Sequence, residues 1–316
     1  MTADVAAIVP THDRAALLLT TLRSVLWQRD VSLEVIVVDD GSADGTDEVV
    51  ERMADPRIRL VRHEIPKGVS AARNHGAAQA RAAWLAFCDD DDLWAPDKLA
   101  RQVAAADASG RAWAYGGAVH VSIDLRVMSA HLPPTPERLV ARLPSWNLMP
   151  GGSSNVVVRA DAFASVGGWD EGLVNLADWD LWARLAQAGP PADVRAPLVG
   201  YRIHGGNASR DAGLILREAS LIDGRYGARL DLGEVHHYLA WVYLRRGRRR
   251  PAVRHLATAA ARGHGRAVAR SVTGLAQRGL GRLVPAVRPR PKPDHEAWVA
   301  EAEAWIARLR EAGGPA

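Results

Sequence analysis

Cysteine is nearly absent from this chain, and its absence excludes two kinds of architecture. With one cysteine among 316 residues, the chain forms no internal disulfide and no cysteine-ligated zinc site. We therefore expect a protein of a reducing compartment whose fold depends on its own hydrophobic core. The hydrophobic content of 48% is sufficient for such a core.

Long apolar runs are also missing. No stretch of 18 or more apolar residues occurs, so the sequence predicts no membrane-spanning helix. The first ten residues, MTADVAAIVP, hold an acidic residue and no basic start, which predicts no signal peptide. We expect a cytoplasmic protein, at most peripheral on the inner face of a membrane.

Glycine-rich phosphate-binding loops are missing where two other enzyme classes need them. The first predicted strand runs directly into VPTHDR. No G-x-G-x-x-G stands there, which disfavours a dinucleotide-dependent oxidoreductase. The segment also lacks the glycine-rich loop with a basic residue that a nucleotidyltransferase needs.

Acidic residues are missing from one long segment. Arg245–Lys292 contains fourteen lysines and arginines and no acid, while the rest of the chain holds 26 basic and 36 acidic residues, a net charge of −10. A basic amphipathic segment suits an anionic membrane surface. A role in nucleic-acid binding is disfavoured, because the segment has no aromatic residue on which bases stack. A solvated helical extension that docks onto the acidic part of the chain is the open alternative.

Strand-like and helix-like segments alternate through the first 120 residues. Apolar runs at Val5–Pro10 and Leu33–Asp40 predict buried strands, and RAALLLTTLRSVLWQ between them has helical spacing. This alternation predicts an α/β fold with a doubly wound, mostly parallel mixed sheet. Polar clusters follow three strands, at Thr11–Arg14, Asp39–Ser42 and Asp89–Asp92. Ligands of such folds bind outside the carboxyl ends of the strands, so these clusters predict the binding site.

The stretch FCDDDDLWAPDKL places four acids where a buried strand ends. Like-charged carboxylates repel one another unless a cation lies among them. In an extended segment Asp89 and Asp91 point to the same side, and such oxygen ligands suit a hard cation such as Mg²⁺, which a diphosphate helps to hold. The alternative is that Asp92 caps the helix that starts near Pro96 and that the other acids are solvated.

Seven segments in a fixed order carry a family resemblance. They are IVPTHDR, VVDDGSADGT, GVSAARNHG, the acid stretch, GGSSNVVVRADAFASVGGWDEGL, ADWDLWARL and YRIHGGNAS. Together they resemble family-2 glycosyltransferases of the GT-A fold, over roughly residues 4–210. The resemblance implies an inverting transfer of a sugar from a nucleoside diphosphate sugar, by default a UDP-sugar, to a hydroxyl of a glycan or lipid-linked acceptor. The expected setting is cell-envelope or polysaccharide assembly.

The resemblance also implies a donor site. Thr11, His12 and Asp40 would contact the nucleobase and ribose, with His12 standing where the family more often has tyrosine. Arg73 and Asn74 would hold the diphosphate or the loop, whereas Asp13 is expected to cap the next helix. The implied donor-binding set is Thr11, His12, Arg14, Asp40, Arg73, Asp89 and Asp90.

The remaining chemistry is implied by four further motif positions. Asp91 matches the acid tied to the metal, Mg²⁺ or Mn²⁺, and His204 would lie near that metal. Asp178 aligns with the general base that takes the acceptor proton, and a helix dipole there would lower its pKa. Trp169 and Asp170 would line the acceptor pocket, where aromatic faces suit sugar rings. For Trp169 the open alternative is a place in the hydrophobic core, the commoner fate of such a residue.

The pattern changes to helices after about Arg225, so we expect a catalytic domain in residues 1–225, with a nucleotide-sugar half at about 1–120 and an acceptor half at about 121–225. Residues 226–316 would form a basic helical region. Ala177 stands where the family pattern has the first acid of a pair. This departure keeps open a second hypothesis, a catalytically inactive module that binds nucleotide sugar or docks to a membrane complex.

Overall fold

The computed structural model describes residues 3–205, 212–227, 230–245, 247–269, 271–272 and 293–312. The chain divides into two compact units. The first unit comprises Met1–Leu143, Asn147–His204 and Asp294–Ala316, and the second comprises Pro144–Trp146 and Gly205–Pro293. The candidate site described below lies entirely in the first unit.

A mixed sheet forms the first unit. Its strands, among the described residues, are β1 Val5–Thr11, β2 Leu33–Asp39, β3 Ile58–Arg62, β4 Trp84–Phe87, β5 Leu93–Trp94, β6 Trp113–Ser122, β7 Val127–His131, β8 Val157–Arg159 and β9 Ala192–Ile203. The helices that accompany them are α1 Ala15–Leu26, α2 Thr46–Arg52, α3 Val69–Gln79, α4 Lys98–Ser109, α5 Pro136–Arg142, α6 Ala160–Ser165 and α7 Ala177–Ala188.

The sheet has the strand order β3-β2-β1-β4-β8-β6-β9-β5, with β7 paired to β6. The first four strands are mutually parallel, as the strand–helix alternation predicts. The second half is mixed, because β8 lies antiparallel to both β4 and β6, while β9 is parallel to β6. The predicted α/β fold is confirmed, and the parallel part is the half in which helices separate consecutive strands.

Strand register brings the predicted polar clusters to one edge of the sheet. Thr11 at the end of β1 pairs with Asp39 at the end of β2. Ile8 of β1 pairs with Phe87, the last residue of β4. All seven residues of β1 are buried, because helices cover both faces of a parallel sheet. The three polar segments therefore leave the core side by side.

Helix α3 packs unusually close to this edge. A Cβ on Gly76 would lie 2.5 Å from Ile8 Cγ2 and 3.1 Å from Val38 Cγ2, so only glycine permits this approach. The close packing fixes the position of Arg73 and Asn74, one turn earlier on the same helix.

The final helix returns to the first unit, which differs from the predicted division at residue 225. Helix α11, Pro293–Ala312, places Trp298 where a Cβ on Gly117 would stand and Trp305 against Gly200. Residues of this helix join strands β6 and β9 in one hydrophobic cluster. Helix α11 packs here because its tryptophans need an apolar surface, which its own neighbours in sequence do not supply.

The second unit is helical, as the sequence predicts for this part of the chain. It contains α8 Ala212–Tyr226, α9 Leu232–Arg245 and α10 Arg249–Ala259, which continues into a π-helical turn at Ala260–His264. Of the predicted basic segment Arg245–Lys292, residues 246, 270 and 273–292 lie outside the described residues. Arg248, Arg249 and Arg250 are exposed at the start of α10.

Candidate active site

The acid stretch forms a turn, and this differs from the extended segment that the sequence predicts. The Asp92 amide donates to the Asp89 carbonyl at 3.0 Å. This hydrogen bond closes a tight turn just after β4. As a result three carboxylates converge, since oxygens of Asp89, Asp91 and Asp92 all lie within 4.8 Å of one another. The prediction that Asp89 and Asp91 come together holds, and the turn is what achieves it.

Three cationic or titratable side chains lie among these acids. Arg14 Nη1 donates to Asp91 Oδ2 at 2.5 Å and to Asp90 Oδ1 at 3.1 Å. Arg73 Nη2 lies 2.5 Å from Asp89 Oδ1. His204 Nε2 lies 2.9 Å from Asp91 Oδ2. The acids therefore tolerate one another because partners from three separate elements offset their charge.

The pKa values of the neighbouring acids Asp90 and Asp91 are shifted in opposite directions. Burial raises the pKa of Asp90, and the negative charge of Asp91 adds to the effect. Burial also acts to raise the pKa of Asp91, but the hydrogen bond from His204 and the charge of Arg14 outweigh it, so the pKa lies below its usual value. Asp91 is thus held ionised, as a metal ligand must be.

Asp92 supports the turn from below and does not cap a helix. It is fully buried, accepts a hydrogen bond from Ser154 Oγ at 2.6 Å, and accepts another from the Arg202 amide at 3.1 Å. Helix α4 begins at Lys98, with Asp97 before it. The alternative interpretation of the acid stretch as a solvated helix cap is therefore wrong.

The Arg202 side chain stabilises the backbone of the acid turn, a role that the sequence reasoning missed. Its Nε donates to the Asp91 carbonyl. Its Nη2 donates to Thr21 Oγ1 at 2.6 Å, and Thr21 Oγ1 in turn donates to the Asp90 carbonyl at 2.8 Å. The signal was present in YRIHGGNAS, two residues before the histidine that the motif singled out.

Ser153 is a second residue that the sequence reasoning missed. It lies in the 3-10 helix Gly152–Asn155, within the quoted GGSSN. Its hydroxyl donates to Asp89 Oδ2 at 2.8 Å and accepts from Arg73 Nη2 at 2.8 Å. Asp89 is thereby fixed between a hydroxyl and a guanidinium.

Asp13, in the loop after β1, does not have the helix-capping role that the sequence predicts. This residue has φ of 51°, accepts a hydrogen bond from the Ala43 amide at 2.8 Å and donates its own amide to Ser42 Oγ at 2.9 Å. It therefore ties two loops together, whereas Asp44 accepts from the amide of Ala15, the first residue of α1. Asp13 as the cap of α1 is wrong.

Thr11 and His12 lie at the mouth of this loop. Thr11 is buried, while the His12 side chain is 48% exposed. An exposed imidazole beside the end of β1 leaves a ring face accessible. Contact of either residue with a nucleobase stays a prediction.

Asp40 is hydrogen-bonded within the protein. It accepts from the Lys67 and Gly68 amides, both at 2.8 Å, and from His63 Nδ1 at 2.7 Å. Burial acts to raise its pKa, but these hydrogen bonds outweigh burial and the pKa is lowered. Asp40 therefore anchors the loop before α3, and its predicted contact with a ribose stays a prediction.

Asp178 lies in the first turn of α7, after Leu176 at the N-cap. It is partly buried, and Gly152, with φ of +54°, leaves room beside it, since a Cβ there would lie 3.6 Å from Asp178 Oδ2. Burial raises the pKa of Asp178 to about 6. The expected lowering by the helix dipole is thus wrong in sign, because desolvation outweighs the dipole. A carboxyl with such a pKa suits a general base at neutral pH.

Trp169 does not line an open pocket. Its side chain is 2% exposed, stacks edge-on against Phe87 with ring centroids 5.0 Å apart, and lies under the Arg73 guanidinium at 4.4 Å. The prediction of a sugar-facing Trp169 is therefore wrong, because the large ring fills the core beneath the site. Asp170 accepts from the Gly172 amide at 2.8 Å and shapes the loop, and its contact with an acceptor stays a prediction.

The donor set of the turn fits a hard divalent cation. Carboxylate oxygens are the ligands that Mg²⁺ and Mn²⁺ prefer, and Asp89 and Asp91 supply them within one small volume. Asp92 lies beside them, but burial and the charges of Asp91 and Asp89 raise its pKa well above the usual range, so its role is to support the turn. Asp89 retains 28% exposure of its side chain, so this edge of the cluster faces the opening. His204 contacts Asp91 and is placed to orient it.

The chain belongs to glycosyl transferase family 2, whose family description matches residues 6–167, just over half of its length. This span contains the acid turn, the Arg73 helix and the GGSSN segment. The predicted family is confirmed, and with it the prediction that the protein is a transferase.

Individual relatives agree with this assignment. The succinoglycan biosynthesis protein ExoO of Rhizobium meliloti (strain 1021) is 38% identical over 161 residues, covering 50% of this chain and 44% of ExoO. A UDP-Glc:alpha-D-GlcNAc-diphosphoundecaprenol beta-1,3-glucosyltransferase of Escherichia coli, WfgD, is 33% identical over 112 residues, covering 35% of this chain and 44% of WfgD. This chain thus spans less than half the length of either relative.

Among solved structures, S. aureus TarS 1-349 in complex with UDP-GlcNAc superposes with a TM-score of 0.57 at 18% identity, covering 76% of this chain and 71% of TarS 1-349. At that identity the likeness establishes the fold alone. The GT-A fold predicted for the chain is confirmed.

Proposed function

We propose that this protein is a metal-dependent, inverting glycosyltransferase that uses a nucleoside diphosphate sugar, with UDP-sugar as the first candidate. The acid turn carries the proposal, because three converging carboxylates flanked by Arg14, Arg73 and His204 match the needs of a cation and a diphosphate. The names of ExoO and WfgD support a setting in polysaccharide or lipid-linked glycan assembly.

The charges of the site suit the departing nucleoside diphosphate. A divalent cation at Asp89 and Asp91 would offset the negative charge that develops on the leaving group. Arg14 and Arg73 contact different acids of the turn, Asp91 and Asp89, at 2.5 Å each. When a diphosphate binds, the two guanidiniums can turn from the carboxylates to its oxygens, since arginine matches phosphate geometry.

Asp178 is proposed to take the proton of the acceptor hydroxyl as that oxygen attacks the anomeric carbon. In this step the new bond forms between the acceptor oxygen and the anomeric carbon, and the bond to the diphosphate oxygen breaks. The proton goes to Asp178, whose raised pKa of about 6 makes it a stronger base than an ordinary aspartate. Attack on the face opposite the leaving group inverts the anomeric centre.

A panel of UDP-, GDP- and dTDP-sugars with Mn²⁺ tests this function through release of the nucleoside diphosphate, and the anomeric proton coupling in NMR reports inversion. Retention of configuration would contradict the role of Asp178. The second hypothesis, an inactive binding module, rests on Ala177. Nucleotide binding with no release from any sugar tested would favour it.

We further propose that the basic segment meets an anionic membrane that carries the acceptor. Among the described residues no helix is both long and apolar enough to cross a membrane. Arg248, Arg249, Arg250 and Arg254 are exposed on and before α10. Co-sedimentation with liposomes of anionic lipid, compared with neutral liposomes, tests this, and the charge-neutral variant with these four arginines changed to glutamine should lose binding.

A further inference from the structure

A chain of hydrogen bonds links the donor-site aspartate to a partly exposed histidine. His63 Nδ1 lies 2.7 Å from Asp40 Oδ1, and His63 Nε2 lies 2.7 Å from His75 Nδ1. The two imidazole rings are parallel within 2°, with centroids 5.0 Å apart. His63 is 4% exposed, and its backbone amide donates to the Asp39 carbonyl at 2.8 Å. His63 is therefore fixed, and His75 is the end that meets solvent.

Asp40 connects the hydrogen-bonded histidines to the loop before α3. Its two oxygens accept the Lys67 and Gly68 amides at 2.8 Å each. Gly68 has φ of 95° and stands at the N-cap of α3, a backbone conformation that strongly favours glycine. Arg73, which contacts Asp89, lies five residues further on. The orientation of Asp40 thus affects both the loop and the helix that carries a donor-site guanidinium.

The short distance between the His63 and His75 rings limits how many protons the two can carry while they stay hydrogen-bonded. Asp40 is ionised, so His63 Nδ1 donates to it. Only one hydrogen fits between His63 Nε2 and His75 Nδ1 at 2.7 Å. One extra proton on the pair can be accommodated by a change of tautomer. Two extra protons place two N–H groups face to face, and the bond between the rings must break.

The surroundings favour the neutral form of His75. Burial lowers the pKa of His75, and the charges of His63 and Lys67 add to the effect. Asp40 reaches the pair from the β2 loop, His63 from the end of β3 and Lys67 from the loop before α3. For a histidine whose folded pKa is lowered, the stabilising contribution is present above its ordinary value of about 6.5. It is lost as the pH falls below that value.

We propose that His63 and His75 are positioning residues of the donor site, which act through Asp40 to hold the Lys67–Gly68 loop and make nucleotide binding weaken at acidic pH. The effect on nucleotide binding rests on the proposed function. The effect on the loop rests on the hydrogen bonds alone.

Calorimetric titration of UDP, with Mn²⁺, across pH 5.5 to 8 tests the first effect. His75→Leu leaves His63 Nε2 without its partner and should weaken binding about tenfold at pH 8, as expected for loss of one buried hydrogen bond. His75→Gln should rescue binding, since an amide can donate or accept and does not titrate. The ratio of the wild-type to His75→Gln dissociation constants should rise as the pH falls from 8 to 5.5, toward a limit of about tenfold that is reached when both rings are protonated and the bond between them breaks.

A matched control comes from another histidine pair. His236 and His255 lie 2.8 Å apart between ring nitrogens in the second unit, so His255→Gln removes a titrating ring from a similar pair and should leave the pH profile of nucleotide binding unchanged. Equal binding by wild type and His75→Leu, with a constant ratio for His75→Gln, would overturn the proposal.

Hydrogen exchange separates this proposal from the function on which it rests. Without nucleotide, the Lys67 and Gly68 amides should exchange equally in wild type and His75→Gln at pH 8 and faster in wild type at pH 5.5. Comparison at each pH cancels the intrinsic pH dependence. If no nucleotide binds but this difference appears, the proposed function fails and the positioning role stands. Identical exchange at both pH values would refute the role.

Discussion

Replacement of Asp178 by asparagine should stop sugar transfer and stabilise the fold at the same time. Asparagine keeps the size of the side chain and cannot take a proton. General-base catalysis contributes about 10²- to 10⁴-fold to a rate, so kcat should fall by that factor. Metal-dependent nucleotide binding should persist, because the metal and diphosphate contacts come from other residues.

The stability effect follows from the pKa of Asp178. Burial raises this pKa from 3.8 to about 6, which corresponds to an unfavourable ionisation in the fold of up to about 3 kcal/mol. For a carboxyl whose folded pKa is raised, the stabilising contribution is full below about pH 4 and lost as the pH rises through about 6. The variant should therefore gain up to about 3 kcal/mol in free energy of unfolding at pH 7.5, and nothing near pH 4.

Denaturant unfolding at the two pH values and steady-state kinetics measure both effects. The wild-type rate should rise with pH through about 6 and level off, because the ionised form is the base. Asp107→Asn serves as the control, since its side chain is exposed on α4 and should change neither quantity. Wild-type turnover by Asp178→Asn, or a loss of stability at pH 7.5, would refute the assignment.

The remaining predictions concern the supports of the site. Ser154→Ala removes a hydrogen bond to the fully buried Asp92 and should cost about 1–3 kcal/mol of unfolding free energy, measured by denaturant unfolding; an unchanged midpoint would contradict the bracing role. Gly76→Ala should destabilise by about 1–3 kcal/mol through overpacking against Ile8 and should weaken nucleotide binding, whereas full retention of both would contradict the close approach of α3. Trp298→Ala should cost about 3–5 kcal/mol, and a wild-type melting temperature would show that α11 is not part of the first unit.

Local patterns predicted the part of the fold in which neighbours in sequence are neighbours in space. The alternation of strands and helices before residue 120 gave the parallel half, and the ends of β1, β2 and β4 gave the site. The bracing by Ser154 and Arg202 could not be predicted this way, since these residues reach the acid turn across 62 and 110 residues of chain. Such pairings depend on the packed sheet.

The errors have a common physical cause. Trp169 was assigned to a pocket from its chemistry, but burial decides whether an aromatic ring meets a ligand. The pKa of Asp178 was expected to fall from its helix position, but desolvation depends on what packs around the helix start. The return of α11 depends on an apolar face that only the assembled β6 and β9 provide.

The central claim is that the acid turn holds a divalent cation together with a nucleoside diphosphate. Calorimetric titration of UDP, GDP and dTDP, each with and without Mn²⁺, tests it most directly in the wild type and in Asp91→Asn. We expect one nucleotide to bind the wild type only with Mn²⁺ and not to bind the variant. Binding that is indifferent to Mn²⁺ and to Asp91, or no binding of any of the three nucleotides, would contradict it.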